Sequence, residues 1–317
     1  MAQNGQDESE ISPRDLAARA AWMSHVGGLT QDQIARELGI SRQRVQRLVA
    51  RAAAEGLIRV RIAHPIAACL ELEKVLKAKY RLRTVRVSPS LGEGADPLSG
   101  LALFAAPVIE QLFESDDQQV IAVGTGRTLR AVVEQMQPVD GSHHKLVSLN
   151  GNVAPDGSAT AYEVIVRLSE KTSAPYHPMS VPLIAESPED LEKYISLPYI
   201  AASRKLAESA DIAIVGIGQM GETAPLFVDG FLSDEELADL QEHRAAGEIV
   251  SHIFDTDGRY LDHPINRRMV GVRVPVNGMP VLCIAAGAGK VPALKAAIKG
   301  GLLAGLITDE TTAKSLL

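Results

Sequence analysis

Residues 30–62, TQDQIARELGISRQRVQRLVARAAAEGLIRVRI, contain two short helical patterns joined by a glycine and followed by a segment in which apolar and basic residues alternate. Thr30 and Gln33 have the spacing of a capping box, which satisfies free backbone N–H groups and begins a helix that ends at Gly39. Residues 57–62 alternate in the way a half-buried strand does. Two helices with a tight turn and a following β-ribbon predict a winged helix-turn-helix domain.

The second helix of this pattern, which Ser41 can cap, has an apolar side and a basic side. Val45, Leu48 and Val49 recur at helical spacing and are expected in the core. The opposite side suits a DNA major groove, because arginine pairs with guanine, glutamine pairs with adenine, and flanking arginines neutralise phosphates. The residues predicted to contact DNA are Thr30, Gln31, Arg42, Gln43, Arg44, Gln46, Arg47, Arg51, Arg59 and Arg61.

The charge of the chain is unevenly distributed. Residues 36–61 contain seven arginines and two glutamates, a local charge of +5, whereas the whole chain carries −7 and the remainder therefore −12. A charged helix side is most often solvated surface, and this alternative stays open. The coincidence of capped helices, a basic outer side and a basic wing favours DNA binding that is confined to this segment.

Length and composition indicate a globular protein of two or three domains, with 317 residues and 46% apolar content. The polar start MAQNGQDESE resembles neither a signal peptide nor a transit peptide, and no apolar run is long enough to span a bilayer. We therefore expect a cytoplasmic protein without a membrane partner.

Cysteine and histidine patterns predict neither a metal site nor a cofactor site. Cys69 and Cys283 are too few for a disulfide framework and too isolated for a zinc motif, so both are expected to be reduced and partly buried. The eight histidines are scattered, and the adjacent pair His143 and His144 is expected in an exposed loop.

The chain after residue 63 alternates short apolar runs with helical patterns. His64 and Pro65 interrupt the wing, which predicts a tail at 1–11, a DNA-binding domain at 12–63 and a second domain at 64–317. Buried strands separated by helices predict an α/β fold, a Rossmann-like, mostly parallel sheet with helices on both faces. The predicted strands are 84–87, 120–123, 146–149, 212–215, 270–274 and 281–285, and the predicted helices are 99–114, 127–137, 159–171, 198–209, 233–244 and 291–303.

Ligands of such sheets bind beyond the carboxyl ends of the strands, where loops lead into helices. The sequence GTGRTL, residues 124–129, follows a predicted strand and offers two glycines, two threonine hydroxyls and free N–H groups suited to an anion. Glycines after a strand also serve packing alone, and the loop is neither a Walker A motif nor a full dinucleotide fingerprint. Asn150 and Gly151 follow the next strand, although Asn-Gly also simply makes turns.

Three further segments could contribute to the same crevice. Gly216 ends another strand, and a polar loop through Asp229 follows it. Lys290 lies at a helix start, where a cation opposes the helix dipole and an anionic partner would offset it, although a solvated surface lysine is an equal alternative. Glu248 and Asp255 could accept sugar hydroxyls, but the Asp255 motif in isolation is most often a turn.

In both halves the chain resembles the SorC-type sugar-binding transcriptional regulators of bacteria, which are related to DeoR. The resemblance covers nearly all of residues 13–317 and rests on the helix-turn-helix segment followed, in the family's order, by GTGRTL, DIAIVGIG, GFLSDEEL, GEIVSHIFDTDGRYLDHPINRRMVGV, AAGAGK and LITDETTAKSLL. Ala288 and Thr125 depart from the residues common in that family. The resemblance implies an effector domain akin to sugar-phosphate isomerases and deaminases, and tetramers assembled as dimers of dimers that bind operator DNA.

By position, the resemblance and the loop pattern together predict where a sugar, polyol or phosphosugar binds. The predicted effector-binding residues are Gly124, Thr125, Gly126, Arg127, Thr128, Asn150, Gly151, Gly216, Asp229, Glu248, Asp255 and Lys290.

Three functions compete at this point. The first is a transcription factor of a carbohydrate catabolism operon whose operator affinity changes when a carbohydrate binds. The second is a sugar-phosphate isomerase or deaminase with a regulatory DNA-binding appendage, and fold alone does not separate it from the first. Because no carboxylate–histidine pair stands out beside GTGRTL, we predict no catalytic residues and no enzyme. The third is a DNA-associated assembly protein without a ligand.

Overall fold

The computed structural model describes residues 12–58, 67–92, 94–154, 156–158 and 164–317. The chain divides between residues 63 and 64 into two compact units. The predicted tail at 1–11 and the part of the predicted wing at 59–62, with Arg59 and Arg61, lie outside the described residues.

The N-terminal unit contains three helices, α1 Pro13–His25, α2 Gln31–Leu38 and α3 Arg42–Ala54. The capping box predicted for α2 is present: the Thr30 N–H donates to Gln33 Oε1 at 2.8 Å, and the Gln33 N–H donates to Thr30 Oγ1 at 3.4 Å. Gly39 ends α2 in the left-handed conformation, with a φ of 64° that favours glycine. A small apolar core joins the three helices, including Ala20, Ile34 and Leu48.

The C-terminal unit is built on two sheets. Their strands are β1 Thr84–Ser88, β2 Val120–Val123, β3 Lys145–Ser148, β4 Tyr176–His177, β5 Ile212–Val215, β6 Gly218–Gln219, β7 Ala245–Ile249, β8 His252–Asp255, β9 Val281–Ile284 and β10 Gly305–Asp309. The larger sheet has the order β1-β10-β9-β5-β2-β3-β4 with parallel pairs throughout, and the smaller sheet is the antiparallel β6-β7-β8. The α/β class predicted from the sequence is therefore confirmed.

Helices surround the parallel sheet. They are α4 Ala67–Tyr80, α5 Pro97–Glu110, α6 Arg127–Gln135, α7 Val164–Thr172, α8 Pro188–Ser196, α9 Pro198–Glu208, α10 Pro225–Val228, α11 Asp234–Glu242, α12 Val291–Lys299 and α13 Glu310–Leu316, with short 3-10 segments at Gln111–Glu114, Asn266–Arg268 and Ala288–Lys290. Helices α5, α6 and α7 pack on one sheet face and α4, α9 and α12 on the other. A third apolar cluster lies among α10, α11 and β8.

The predicted strand at 270–274 is wrong. The valines of the segment are buried, but the segment is irregular, and side chains instead of a neighbouring strand bond several of its carbonyls. Arg204 donates to the Val270 carbonyl, and the Tyr260 hydroxyl donates to the Val274 carbonyl. Burial alone therefore produced the strand-like pattern.

Other expectations need smaller corrections. Residues 159–163 of a predicted helix lie outside the described residues, and α7 begins at Val164. His144 is buried and not exposed; its Nδ1 accepts from the Gln119 N–H at 3.1 Å, and burial lowers its pKa. Cys69 and Cys283 are free and buried. Among the described residues, no helix is long and apolar enough to cross a membrane.

Candidate functional site

A cavity of about 300 Å³ opens at the carboxyl ends of the parallel strands, and we call it the effector cavity. It lies beyond the adjacent strands β2 and β5. From β2 the chain continues to β3 on one side, whereas the next strand of this sheet after β5 is β9 on the other side. The cavity therefore occupies the switch point of the sheet, which is where open α/β sheets bind ligands.

The loop after β2 forms one wall. Gly124 to Thr128 all line the cavity. Gly126 is the N-cap residue of α6 with a φ of 128°, so this position favours glycine, and it provides no side-chain oxygen to the first N–H groups of the helix. The start of α6 thus presents backbone donors and the positive end of the helix dipole, a suitable environment for an anion.

Arg127 and Asp229 connect this wall to the opposite one. The guanidinium of Arg127 donates to Asp229 Oδ1 at 2.5 Å, and both residues line the cavity. Asp229 directly follows α10, so the ion pair bridges the loop after β2 and the segment that follows β6. A ligand at this position meets a charged pair, not two free charges.

Glu248 and Lys290 place a carboxylate and an ammonium group along the same cavity. Burial raises the pKa of Glu248, and the Ser251 N–H, Lys290 and the Gly218 N–H partly offset this effect. Burial lowers the pKa of Lys290, and Glu248 partly offsets it. Lys290 forms no ion pair with any carboxylate in the described part of the chain, so its charge is only partly compensated.

The turn between β7 and β8 brings further polar groups to the cavity. Val250 and Ser251 both have positive φ values, 54° and 65°, which a valine rarely adopts. The Ser251 N–H donates to Glu248 Oε2 at 2.7 Å, and the Asn150 Nδ2 donates to the Ser251 hydroxyl at 3.2 Å. The turn is therefore fixed by the same residues that line the cavity.

Asn150 lines the cavity and has a buried side-chain acceptor. The residue is buried, and no described group donates to its Oδ1. This oxygen lies beside Gly124, 3.7 Å from where a Cβ would stand. A buried acceptor without a donor is costly, and the hydroxyl of a bound ligand can satisfy it.

Sequence reasoning missed the apolar side of the cavity and one acid. Leu183, Ile217, Leu226 and Phe231 line it together with Asp96, which caps α5 by accepting from the Leu98 N–H at 3.0 Å. These residues come from distant segments, so no local pattern could have grouped them. The Asp-Pro pair at 96–97 was the only sequence signal, as a helix start.

Ten of the twelve predicted effector residues line the cavity, and two do not. Gly151 packs against the backbone at 181–182, where a Cβ would stand 2.3 Å from the Pro182 carbonyl oxygen, so its role is close packing. Asp255 accepts from the N–H groups of Asp257 and Arg259 at 2.8 and 2.9 Å, so it organises the turn after β8. Both residues therefore lie outside the cavity lining, in structural roles.

The N-terminal unit presents the basic side of α3 as expected. Arg42, Gln43, Arg44, Gln46, Arg47 and Arg51 are all exposed. Val45, Leu48 and Ala52 on the other side are buried. Thr30 and Gln31 stand at the start of α2, where Thr30 is the cap and Gln31 Oε1 accepts from Arg42 Nε at 3.5 Å.

The arginines of α3 differ in how they are paired. Arg51 pairs with Glu55 at 2.5 Å, and Arg42 lies 3.5 Å from Asp32. Arg44 and Arg47 form no ion pair with any described carboxylate. The first half of α3 therefore carries the arginines that are available to an external anion.

Comparisons with known proteins agree for both units. Residues 64–317 match the family model described as "Putative sugar-binding domain", and residues 20–65 match a MarR family model. The chain is 35% identical over 303 residues to the erythritol catabolism regulatory protein EryD of Brucella abortus, covering 95% of this chain and 96% of that protein. It is 30% identical over 316 residues to the transcriptional regulator LsrR of Escherichia coli K12, covering 98% and 96%.

A solved structure shows the same fold over the full length. The sorbitol operon regulator SorC from Klebsiella pneumoniae superposes with a TM-score of 0.72 at 24% identity, covering 99% of each chain. The two family models, the relatives and this fold all match the order of units found here. The chain therefore belongs to the SorC-type family of sugar-binding transcriptional regulators.

Proposed function

We propose that the protein binds an operator through α3 and controls a carbohydrate catabolism operon in response to a sugar, polyol or phosphosugar in the effector cavity. The observation that carries the proposal is the grouping, at the switch point of the sheet, of an anion-suited helix start, a partly compensated Lys290 and an unsatisfied Asn150 Oδ1. The name of EryD makes a four-carbon polyol the first candidate among the ligands.

The chemistry of the cavity supports a hydroxylated ligand with one anionic end. Backbone donors of α6 and the Lys290 ammonium suit a phosphate, while Asn150, Asp229 and Glu248 offer acceptors for hydroxyl groups. The volume of about 300 Å³ is at the lower end of ligand cavities, which favours a small carbohydrate. The residues proposed to bind it are the ten predicted ones that line the cavity.

DNA recognition is assigned to the basic side of α3. Arg44 and Arg47 are exposed and near the start of the helix, as the base-reading residues of a recognition helix are. Arg42 and Arg51 would exchange their protein ion pairs for phosphates, since each pair is on the surface and worth little. Thr30, Gln31, Gln43 and Gln46 complete the proposed contact surface.

Oligomerisation would connect the two activities. A single helix-turn-helix reads a short half-site, so affinity and specificity require at least a dimer. We propose a tetramer assembled as a dimer of dimers, in which the ligand shifts the population between forms with high and low operator affinity.

The deciding experiment measures ligand binding and DNA binding on the same protein. Bound DNA is first selected from random-sequence duplexes, and its affinity is then measured by fluorescence anisotropy with erythritol, sorbitol, their phosphates, and inorganic phosphate as control. We expect one ligand class to raise the unfolding midpoint and to change the operator affinity at least tenfold. If every ligand that stabilises the protein leaves DNA binding unchanged, the proposed control is wrong.

The competing enzymatic function has a direct test. The acids of the cavity are already engaged, with Asp96 capping a helix, Asp229 paired to Arg127 and Glu248 bonded to the Ser251 N–H, and no histidine is among the described residues that line it. We therefore propose a regulator without catalytic residues. Turnover of a sugar phosphate by pure protein, followed by nuclear magnetic resonance, would support the enzyme instead.

A further inference from the structure

A cluster of three side chains outside the effector cavity has the composition of a metal site. Asp239 and His243 lie one turn apart at the end of α11, and His263 comes from the loop after β8. One potential ligand atom of each residue lies within 4.8 Å of the others. None of the three residues lines the effector cavity.

The distances are close to those of a metal polyhedron. His263 Nε2 lies 2.9 Å from Asp239 Oδ2, and His243 Nδ1 lies 3.3 Å from Asp239 Oδ1. In a tetrahedral zinc site, bonds of about 2.0–2.1 Å separate the ligand atoms by roughly 3.3 Å. The two distances to Asp239 are thus already near that value, and the chosen ligand atoms of all three residues lie within 4.8 Å of one another.

The three side chains differ in burial, so one side of the cluster is buried and the other is open to solvent. The His263 side chain is 5% exposed, whereas Asp239 and His243 are 52% and 56% exposed. A buried histidine fixes the position of the site, and the exposed pair leaves room for solvent ligands. Three protein ligands with an open position are typical of accessible zinc sites.

We infer that Asp239, His243 and His263 bind a divalent transition-metal ion of the zinc class. Two imidazoles and one carboxylate select Zn²⁺, Co²⁺ or Ni²⁺ over Mg²⁺ and Ca²⁺, which prefer oxygen ligands. The inference is independent of the proposed regulation.

Metal binding must displace hydrogen bonds that are present now. His263 Nδ1 accepts from the Ile265 N–H at 3.3 Å, which places the ring proton on Nε2 toward Asp239. When the metal takes Nε2, this proton moves to Nδ1 and the long bond from Ile265 is lost. His243 likewise gives up a 2.8 Å contact between its Nδ1 and the Asp239 carbonyl. These losses reduce the affinity, so the test uses micromolar metal.

An ion bound to these three residues would lie next to segments that support the cavity wall. Leu240 on α11 and Ile265 beside His263 belong to the same apolar cluster as Leu226, which lines the effector cavity. An ion held between α11 and this loop would cross-link two segments that support that wall. Binding to the folded state alone raises the unfolding midpoint.

Sequence spacing could not have predicted the cluster. Asp239 and His243 have helical spacing, but His263 is separated from them by the β7–β8 hairpin. Only the packing of this loop against α11 brings the third ligand into place.

The test is a Co²⁺ titration of the full-length protein, free of any purification tag, after treatment with a chelator and dialysis. We expect saturation at one ion per chain, visible d–d absorption, and displacement by Zn²⁺ but not by Mg²⁺. His243→Ala and Asp239→Asn should each weaken Co²⁺ binding by at least about tenfold, the lower range for disturbing a metal site. Both positions are exposed, so these variants are expected to fold.

His177→Ala is the matched control, since His177 is an exposed histidine of the same unit outside the cluster. It should bind Co²⁺ as the unchanged protein does. Absence of saturable binding at micromolar Co²⁺, or equal affinities for His243→Ala and His177→Ala, would overturn the inference.

Discussion

Replacing Lys290 with methionine should separate the anion-binding part of the effector cavity from its hydroxyl-binding part. Methionine keeps an unbranched apolar stem and removes the ammonium group. Lys290 forms no ion pair with a described carboxylate and is partly desolvated, so its charge is available to a ligand anion. A neutral polyol gains little from that charge, whereas its phosphate gains a charge-assisted hydrogen bond.

The expected loss follows from the strength of such a bond. Hydrogen bonds to charged groups contribute about 1.5–3 kcal/mol, and a loss of about 2 kcal/mol corresponds to a roughly 30-fold weaker Kd. At a ligand concentration of about 100 times the original Kd, ligand stabilisation is about 2.7 kcal/mol, and it should fall to about 0.9 kcal/mol in Lys290→Met. For the neutral polyol, the change in Kd should remain below about threefold.

The assay is urea unfolding with and without erythritol phosphate or erythritol, at pH 7.5 and fixed ionic strength. Lys295→Met is the matched control, because Lys295 is exposed on the same helix, α12. The Lys295→Met variant should bind both ligands as the unchanged protein does. Equal losses for the phosphate and the polyol in Lys290→Met would refute the assignment of a phosphate to this lysine.

Three further outcomes are expected. Arg47→Ala should weaken operator binding by about 1–3 kcal/mol while ligand stabilisation persists, and loss of both in thermal-shift and anisotropy measurements would mean that the residue supports folding. Ile34→Ala, at a fully buried position of the N-terminal core, should destabilise that unit by about 2–5 kcal/mol in urea unfolding, and a smaller cost would mean that the core is loosely packed. Burial lowers the pKa of His252 to about 4. The histidine binds a proton near pH 6.5 in the unfolded chain but not in the folded one. Its contribution to the free energy of unfolding should therefore be lost between pH 6.5 and about pH 4, a decrease of about 3 kcal/mol. Urea midpoints measured over this range should show a shallower decline for His252→Phe than for the unchanged protein, and parallel declines would contradict the assignment.

Local sequence patterns predicted those helices and strands whose backbone groups form regular hydrogen bonds. The strand at Val120–Val123 was located to the residue, because four apolar residues end at a glycine that the chain needs for its next turn. The capping box at Thr30 located the start of α2 in the same way. By contrast, the segment 270–274 is buried without forming a strand, and Arg204, His252 and Tyr260 bond the carbonyls of Val270, Gly271 and Val274. Periodicity reports burial and cannot report which group supplies the hydrogen bond.

The residues of the candidate site likewise fall into those that the sequence could predict and those that it could not. Polar residues that follow strands could be predicted, because parallel strands bring their carboxyl ends to one edge of the sheet. Gly151 follows the same rule in sequence but serves a close packing contact, and Asp255, predicted from its carboxylate alone, organises a turn. The apolar wall and the left-handed turn at Val250 and Ser251 depend on long-range packing and had no local signature.

The three apolar clusters of the C-terminal unit all reach the effector cavity. Leu129 belongs to the cluster on one sheet face, Val250 to the cluster on the other, and Leu226 to the cluster beside α11. Each cluster is a separate packing unit, and such units can open independently of one another. A ligand bound in the cavity, as proposed above, would contact all three clusters. Its binding would couple their opening, so a small carbohydrate would alter the rigidity of the whole unit.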